Sequence, residues 1–141
     1  MLLSSIKSIF QLKELAPHLK TGAFGEKEAR KYLKKKGLKF LTANFKSDRG
    51  EIDLVFRDGD CLVFIEVKTR SSEDWARPAA AVNAEKRQYL SRAGLDYLRL
   101  LRNPEIKFRF DIVEVLVNGR KVTEIRHLPN SFHLPRGMRF A

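Results

Sequence analysis

Apolar and polar positions change period several times along the chain, and each change marks an element. Leu3 to Ala16 carries Ile6, Ile9, Phe10, Leu12 and Leu15 near helical spacing, and Pro17 closes the segment. This predicts an amphipathic N-terminal helix, packed on the body of the protein or on a second subunit, as in a homodimer. A membrane-surface helix is the weaker reading, because Lys7, Lys13 and Glu14 make no strongly basic face. A second helix is predicted from about Gly22 to Lys36, with Thr21 as N-cap and Gly37 as the stop. Glu26, Ala29 and Leu33 fall at i, i+3 and i+7, which places a carboxylate on the stripe that should face the core.

Period two then takes over. Leu38–Lys46, Gly50–Arg57 and Leu62–Arg70 read as strands, with Asp58-Gly59 as a hairpin turn between the second and third. Alternation puts Ile52, Leu54 and Phe56 on one face of the middle strand, and Glu51, Asp53 and Val55 on the other. In the next strand Val63, Ile65, Val67 and Thr69 face one way, and Leu62, Phe64, Glu66, Lys68 and Arg70 the other. Ser71 to Val82 reads as a loop that holds Trp75, the only tryptophan. A long helix follows from Asn83, a good N-cap, to about Arg102. Phe108–Val117 alternates again, Asn118-Gly119 is a turn, and Lys121–Arg126 is a short return strand. Pro129, Pro135 and Gly137 argue for an irregular tail from His127 onward.

The order α-β-β-β-α-β-β predicts an α/β fold of mixed α+β type, with helices flanking a central mixed sheet and an extra N-terminal helix. Residues 1–20 read as the amphipathic extension, 21–134 as one domain and 135–141 as a tail. A chain of 141 residues with 43% hydrophobic residues can bury a single substantial core.

Charge narrows the class of partner. Lys and Arg number 28 against 17 acids, a net charge of +11, and the basic residues run the whole length of the chain. A polyanion, most commonly nucleic acid, is the expected partner, set against the plainer reading of a charged solvated surface. Cys61 is the only cysteine, so no internal disulfide and no cysteine-based zinc site can form. That composition fits the cytoplasm. Lys7 interrupts the apolar run in Met1–Phe10 before a secretory signal could form, and no run is long enough for a spanning helix.

Within this basic chain, Asp48, Glu51, Asp53, Asp58, Asp60 and Glu66 stand against only Arg49 and Arg57, a local charge of −4 between Asp48 and Glu66. Asp58 and Asp60 suit an exposed turn, whereas Asp53 and Glu66 sit among apolar residues in neighbouring strands. Glu66 and Lys68 share a strand face about 6.6 Å apart. E-x-K alone is common on solvated sheet faces, where it makes a minor cross-strand pair. Together with Asp53 one hairpin earlier, it supplies the parts of a phosphodiester-hydrolysing site. Two carboxylates can hold Mg²⁺, which keeps several waters and needs only one or two of them, and a lysine can position the nucleophile or offset charge on the phosphate.

These residues also resemble a known family. G-A-F-G-E-K-E-A-R-K-Y-L, N-F-K-S-D-R-G-E-I-D-L-V, V-F-I-E-V-K-T-R, A-V-N-A-E-K-R and F-R-F-D-I-V look like the YraN-like family of uncharacterised bacterial proteins, in the same order from about Gly22 to Leu134. That family is itself assigned by resemblance to the PD-(D/E)XK superfamily, which includes Holliday-junction resolvases. The resemblance implies a restriction-endonuclease-like core and a metal-dependent endonuclease acting on DNA, including branched or structured DNA, with Mg²⁺ or Mn²⁺ as cofactor. It implies catalytic roles for Asp53, Glu66, Lys68 and Glu26. The metal would be held by Asp53, Glu66 and the main-chain carbonyl of Val67, with Glu26, matching the helix glutamate of the resolvase branch, as a further candidate. Lys86 matches a usually basic position and could meet a phosphate near a helix N-terminus. Arg87, Arg70 and Arg49 are further candidates for touching nucleic acid. The loop W-A-R-P-A-A-A-V departs from the family's aromatic-Gly pair and acid.

Asp111 reads equally well as support for the site or as a strand acid paired with a nearby Arg. His18, His127 and His133 lack metal-ligand spacing and read as surface or tail residues. Trp75 suits base stacking or covering the core edge. The alternative to a nuclease is a non-catalytic nucleic-acid-binding or scaffold protein that keeps the fold.

Overall fold

The structure is a computed structural model that describes residues 17–71, 82–102 and 105–138. The helix expected over Leu3–Ala16 and the loop around Trp75 lie outside these residues. Helix α1 (Pro17–Lys35) is followed by strands β1 (Lys39–Ser47), β2 (Gly50–Asp58) and β3 (Cys61–Ser71), helix α2 (Ala84–Leu101), and strands β4 (Lys107–Asn118) and β5 (Lys121–Phe132). The order matches the sequence reading. One mixed sheet runs β1-β2-β3-β4-β5, parallel only between β3 and β4, where α2 makes the crossover. No helix among the described residues is long and apolar enough to cross a membrane.

A helix covers each sheet face. Ala29 and Leu33 of α1 pack with Leu54, Phe56, Val63, Ile65, Val113 and Val115. On the other face Leu90, Ala93, Leu95 and Leu98 of α2 pack with Val55, Leu62, Phe64, Phe110 and Ile112. The alternation in β3 therefore sorts as expected, with Leu62 and Phe64 toward α2 and Val63 and Ile65 toward α1. Ile52 is a correction, since it joins Val55 on the α2 face instead of Leu54 and Phe56.

The cause lies in the β1–β2 hairpin, whose end bends onto α2. Gly50 is buried, and a Cβ there would fall 2.4 Å from the Tyr89 carbonyl oxygen, so only glycine permits the approach. Arg49 clamps the same end to α2 through Asp96, with Nη2 to Oδ1 at 2.6 Å. Asn44, at φ 55°, takes up the bend in β1.

Several boundaries move for physical reasons. Helix α1 begins at Pro17, the residue expected to end a segment; the first helical turn has no need of the missing N–H. Thr21 therefore lies inside the helix, not at its cap. At the other end Gly37 (φ 95°) donates to the Lys34 carbonyl and Leu38 to that of Leu33, a Schellman stop. Asn83 caps α2 as expected, its side chain accepting from the Lys86 N–H. Asp58 pairs with Cys61 and Asn118 with Lys121, so both hairpin turns fall one residue later than expected, with Gly59 and Gly119 at positive φ in the first central position. Strand β5 continues to Phe132 through the residues read as a tail. It is an edge strand, where Pro129 can lack a ladder donor.

Candidate metal and phosphodiester site

β2 and β3 are paired from Asp58/Cys61, at their hairpin turn, to Leu54/Ile65 and then part. Beyond that point β2 stays with β1 and β3 with β4. Asp53 stands at the mouth of this fork. Its Oδ2 accepts a 2.8 Å hydrogen bond from the Val67 N–H, a carboxylate taking the place of a ladder carbonyl. A strand residue sends its N–H and C=O toward the same edge, so the Val67 carbonyl also faces the fork.

Glu66 precedes Val67 and lies on the α2 face, bordered by Ile52, Phe64 and Leu90. Burial, and then the Asp53 charge, push the Glu66 carboxyl up to about 7, while the Lys86 ammonium pulls it back. Burial also raises Asp53, against the Val67 N–H and the charge of Lys86. Two carboxylates that resist ionisation side by side are a poor arrangement for folding alone. They are well suited to a hard divalent cation with oxygen ligands. Among the described residues no group of three His, Cys, Asp or Glu side chains is gathered as a metal site, so the carboxylate set here is a pair.

Two lysines complete the site. Lys86, in the first turn of α2, places Nζ 3.4 Å from Glu66 Oε1. Lys68 lies on the same face of β3 as Glu66, and burial together with the Arg70 charge lowers its pKa, opposed by Glu66 and Glu114. Asp53, Glu66, Lys68 and Lys86 are thus brought together. Glu26 lies on α1, which covers the opposite sheet face; it follows Gly25, which backs onto Thr69 of β3. Glu26 is half-buried at that helix–strand junction.

The candidate nucleic-acid residues divide. Arg49 is engaged with Asp96, and Arg70 Nε lies 3.7 Å from Glu114 Oε2, so both arginines serve internal ion pairs. Arg87 Nε donates to the Val82 carbonyl at 2.9 Å and its side chain stays near the surface. Glu114, 2% exposed, is a buried neighbour of the candidate site that sequence reasoning missed. Its signal was its phase: with Phe110 and Ile112 it falls on the α2-facing side of β4, opposite Lys68 in the parallel register.

Away from the site, Asp111 is a structural hub. It receives Arg109 Nε at 3.0 Å and the Asn130 N–H at 2.9 Å, and lies 2.6 Å from His127 Nε2. His127 is therefore not a surface residue; its side chain is 4% exposed. Burial raises the Asp111 carboxyl, but these donors outweigh it and hold the group below the usual carboxylate range.

Comparison with known proteins agrees with the motifs. Residues 25–115 match the uncharacterised protein family UPF0102, a span that contains Glu26, Asp53, Glu66, Lys68 and Lys86. The chain is 40% identical over 113 residues to a UPF0102 protein of Geobacter metallireducens, covering 80% of this chain and 92% of that one. It is 41% identical over 113 residues to one of Caldanaerobacter subterraneus (79% and 93%). A relative from Chlorobaculum tepidum is 40% identical over 116 residues (79% and 90%). With the family match spanning most of the sheet and similarity of this extent, the chain belongs to the uncharacterised family UPF0102, the YraN-like proteins.

Proposed function

We propose that this chain is a metal-dependent endonuclease that hydrolyses phosphodiester bonds in DNA, with branched or otherwise structured DNA as its substrate class. The observation that carries the reading is the fork at Asp53, where two partly buried carboxylates, both pushed up by burial, meet two lysines. Asp53, Glu66 and the Val67 carbonyl would hold Mg²⁺ or Mn²⁺. The cation, when bound, supplies positive charge against the two carboxylates and against the charge that builds on the phosphate. The residues of the chain do the rest. Lys68 presents an ammonium beside Glu66, where it donates to the attacking water or to a non-bridging phosphate oxygen. Lys86, in the first turn of α2, meets a phosphate from the other side, where the helix N-terminus favours negative charge. The apolar wall of Ile52, Phe64 and Leu90 keeps the local dielectric low, which strengthens each of these interactions.

One observation favours a non-catalytic DNA-binding protein instead: Lys86 already offsets Glu66 within the chain. The two readings separate in a gel assay with single-stranded, duplex, flap and four-way-junction DNA, each with Mg²⁺, Mn²⁺ or chelator. The nuclease reading expects cation-dependent products from at least one substrate. Retention of DNA with no product under any condition favours the binding protein.

A further inference from the structure

The exposed lysines of α1 lie on one side of the helix. Ala29 and Leu33 are 0% exposed beneath the sheet, whereas Lys27, Lys31, Lys34 and Lys35 are all exposed. These four fall at i, i+4, i+7 and i+8, a single stripe along the outer face of the helix. Within it Lys31 reaches Glu28 at 3.8 Å, while Lys27, Lys34 and Lys35 have no carboxylate partner among the described residues. Like charges three or four residues apart on a helix repel, so the stripe works against α1 as an isolated element. An external polyanion removes that conflict.

The stripe also has a place relative to the fork. Gly25 lies against Thr69, so Lys27 sits near the Lys68–Arg70 end of β3. At the far end Lys36 Nζ lies 2.9 Å from His127 Nδ1 of β5. A polyanion leaving the fork over the end of β3 meets Lys27 first and Lys35 last, about 12 Å further along the helix axis.

We infer that the outer face of α1 is a phosphate track that continues the path of a nucleic acid engaged at the Asp53–Glu66 fork. The partner's identity rests on the nuclease reading above. An acidic membrane surface is disfavoured because a helix that lies on a bilayer must insert its apolar face, and here that face is occupied by the sheet.

The test is fluorescence anisotropy of a labelled DNA duplex of about 24 base pairs in chelator, over a salt series. The whole chain is compared with Lys27→Gln/Lys31→Gln/Lys35→Gln and with a charge-matched control, Lys107→Gln/Arg120→Gln/Lys121→Gln. The stripe variant is expected to flatten the slope of log affinity against log salt by about 2 to 3, at about 0.9 for each phosphate that is no longer neutralised. The control should flatten it far less. Equal losses in both variants would mean that only net charge matters, and an unchanged stripe variant would remove the track while leaving the nuclease reading in place. Tighter binding to phosphatidylserine vesicles than to DNA would overturn the choice of partner. Wild-type protein that ignores DNA at every salt concentration would overturn both readings.

Discussion

Glu66 must hold a negative charge against Ile52, Phe64 and Leu90 and beside a second carboxylate, with one lysine as relief. Its folded value of about 7 lies above the 4.5 of a free glutamate, so the folded state binds that proton more tightly than the unfolded chain does. The stabilisation this gives is fully present below about 4.5 and is lost as pH rises through about 7. Glu66→Gln should therefore melt higher than wild type at pH 8 without metal, by at least a few degrees, and the difference should vanish by pH 4. Thermal melts across pH check this; a constant difference would show that packing sets the effect. Mg²⁺ or Mn²⁺ should raise the wild-type melting temperature more at pH 8 than at pH 5.5, and should lose that effect in Glu66→Gln and Asp53→Asn. Strand alternation placed Glu66 and Lys68 on one face of β3, because period two fixes which residues share a face, but it did not foresee the turn of β2 at Ile52 beside Asp53. It could not find that Arg49 and Arg70 are engaged, since Asp96 and Glu114 come from distant elements.

Helix α1 depends on one close approach to the sheet. A Cβ at Gly25 would lie 1.8 Å from Thr69 Oγ1, so Gly25→Ala should push the helix off β3 and cost about 1–3 kcal/mol. Urea unfolding should show part of the loss recovered by adding Thr69→Ala, and no recovery would place the strain elsewhere. Strand β5 depends on Asp111 in the same way. Asp111→Ala leaves His127 Nε2 and the Asn130 N–H without this partner and Arg109 with Asp58 alone, and should cost about 3 kcal/mol or more. A loss under 1 kcal/mol in the same unfolding experiment would contradict this role. Because Asp111 is held below its ordinary value, its stabilisation is present above about 3.8 and is lost as pH falls through the lower folded value. Element order, the Asn83 cap and the Gly37 stop were legible, since each rests on local chemistry. The full length of β5 was not: Pro129 reads as a terminator until the strand is known to be an edge, and His127 reads as surface until Asp111 is known to face it. The turn of Ile52 toward α2 was equally hidden, because it follows from Gly50 and Arg49 docking on a helix later in the chain.

At the scale of the whole molecule, a sheet rich in apolar side chains holds a pair of carboxylates at one fork, within a chain that carries an excess of positive charge. With a net charge of +11, DNA affinity should fall steeply with salt because many phosphates are neutralised at once, and a flat response would contradict a phosphate-dominated surface. Lys68 is a small part of that charge but stands beside the carboxylate pair, so binding and chemistry should separate at this residue. The most direct test measures both on whichever DNA structure wild type cleaves: single-turnover cleavage with Mg²⁺ or Mn²⁺, and affinity in chelator, for wild type, Lys68→Ala and Lys68→Arg. The account predicts that both variants lose at least about a hundredfold in cleavage rate while affinity changes less than about threefold, since a planar guanidinium does not replace a compact ammonium at this point. Cleavage by Lys68→Ala at the wild-type rate would contradict the mechanism, and wild-type protein that binds DNA but cleaves none of the structures with either metal would contradict the assignment as a nuclease.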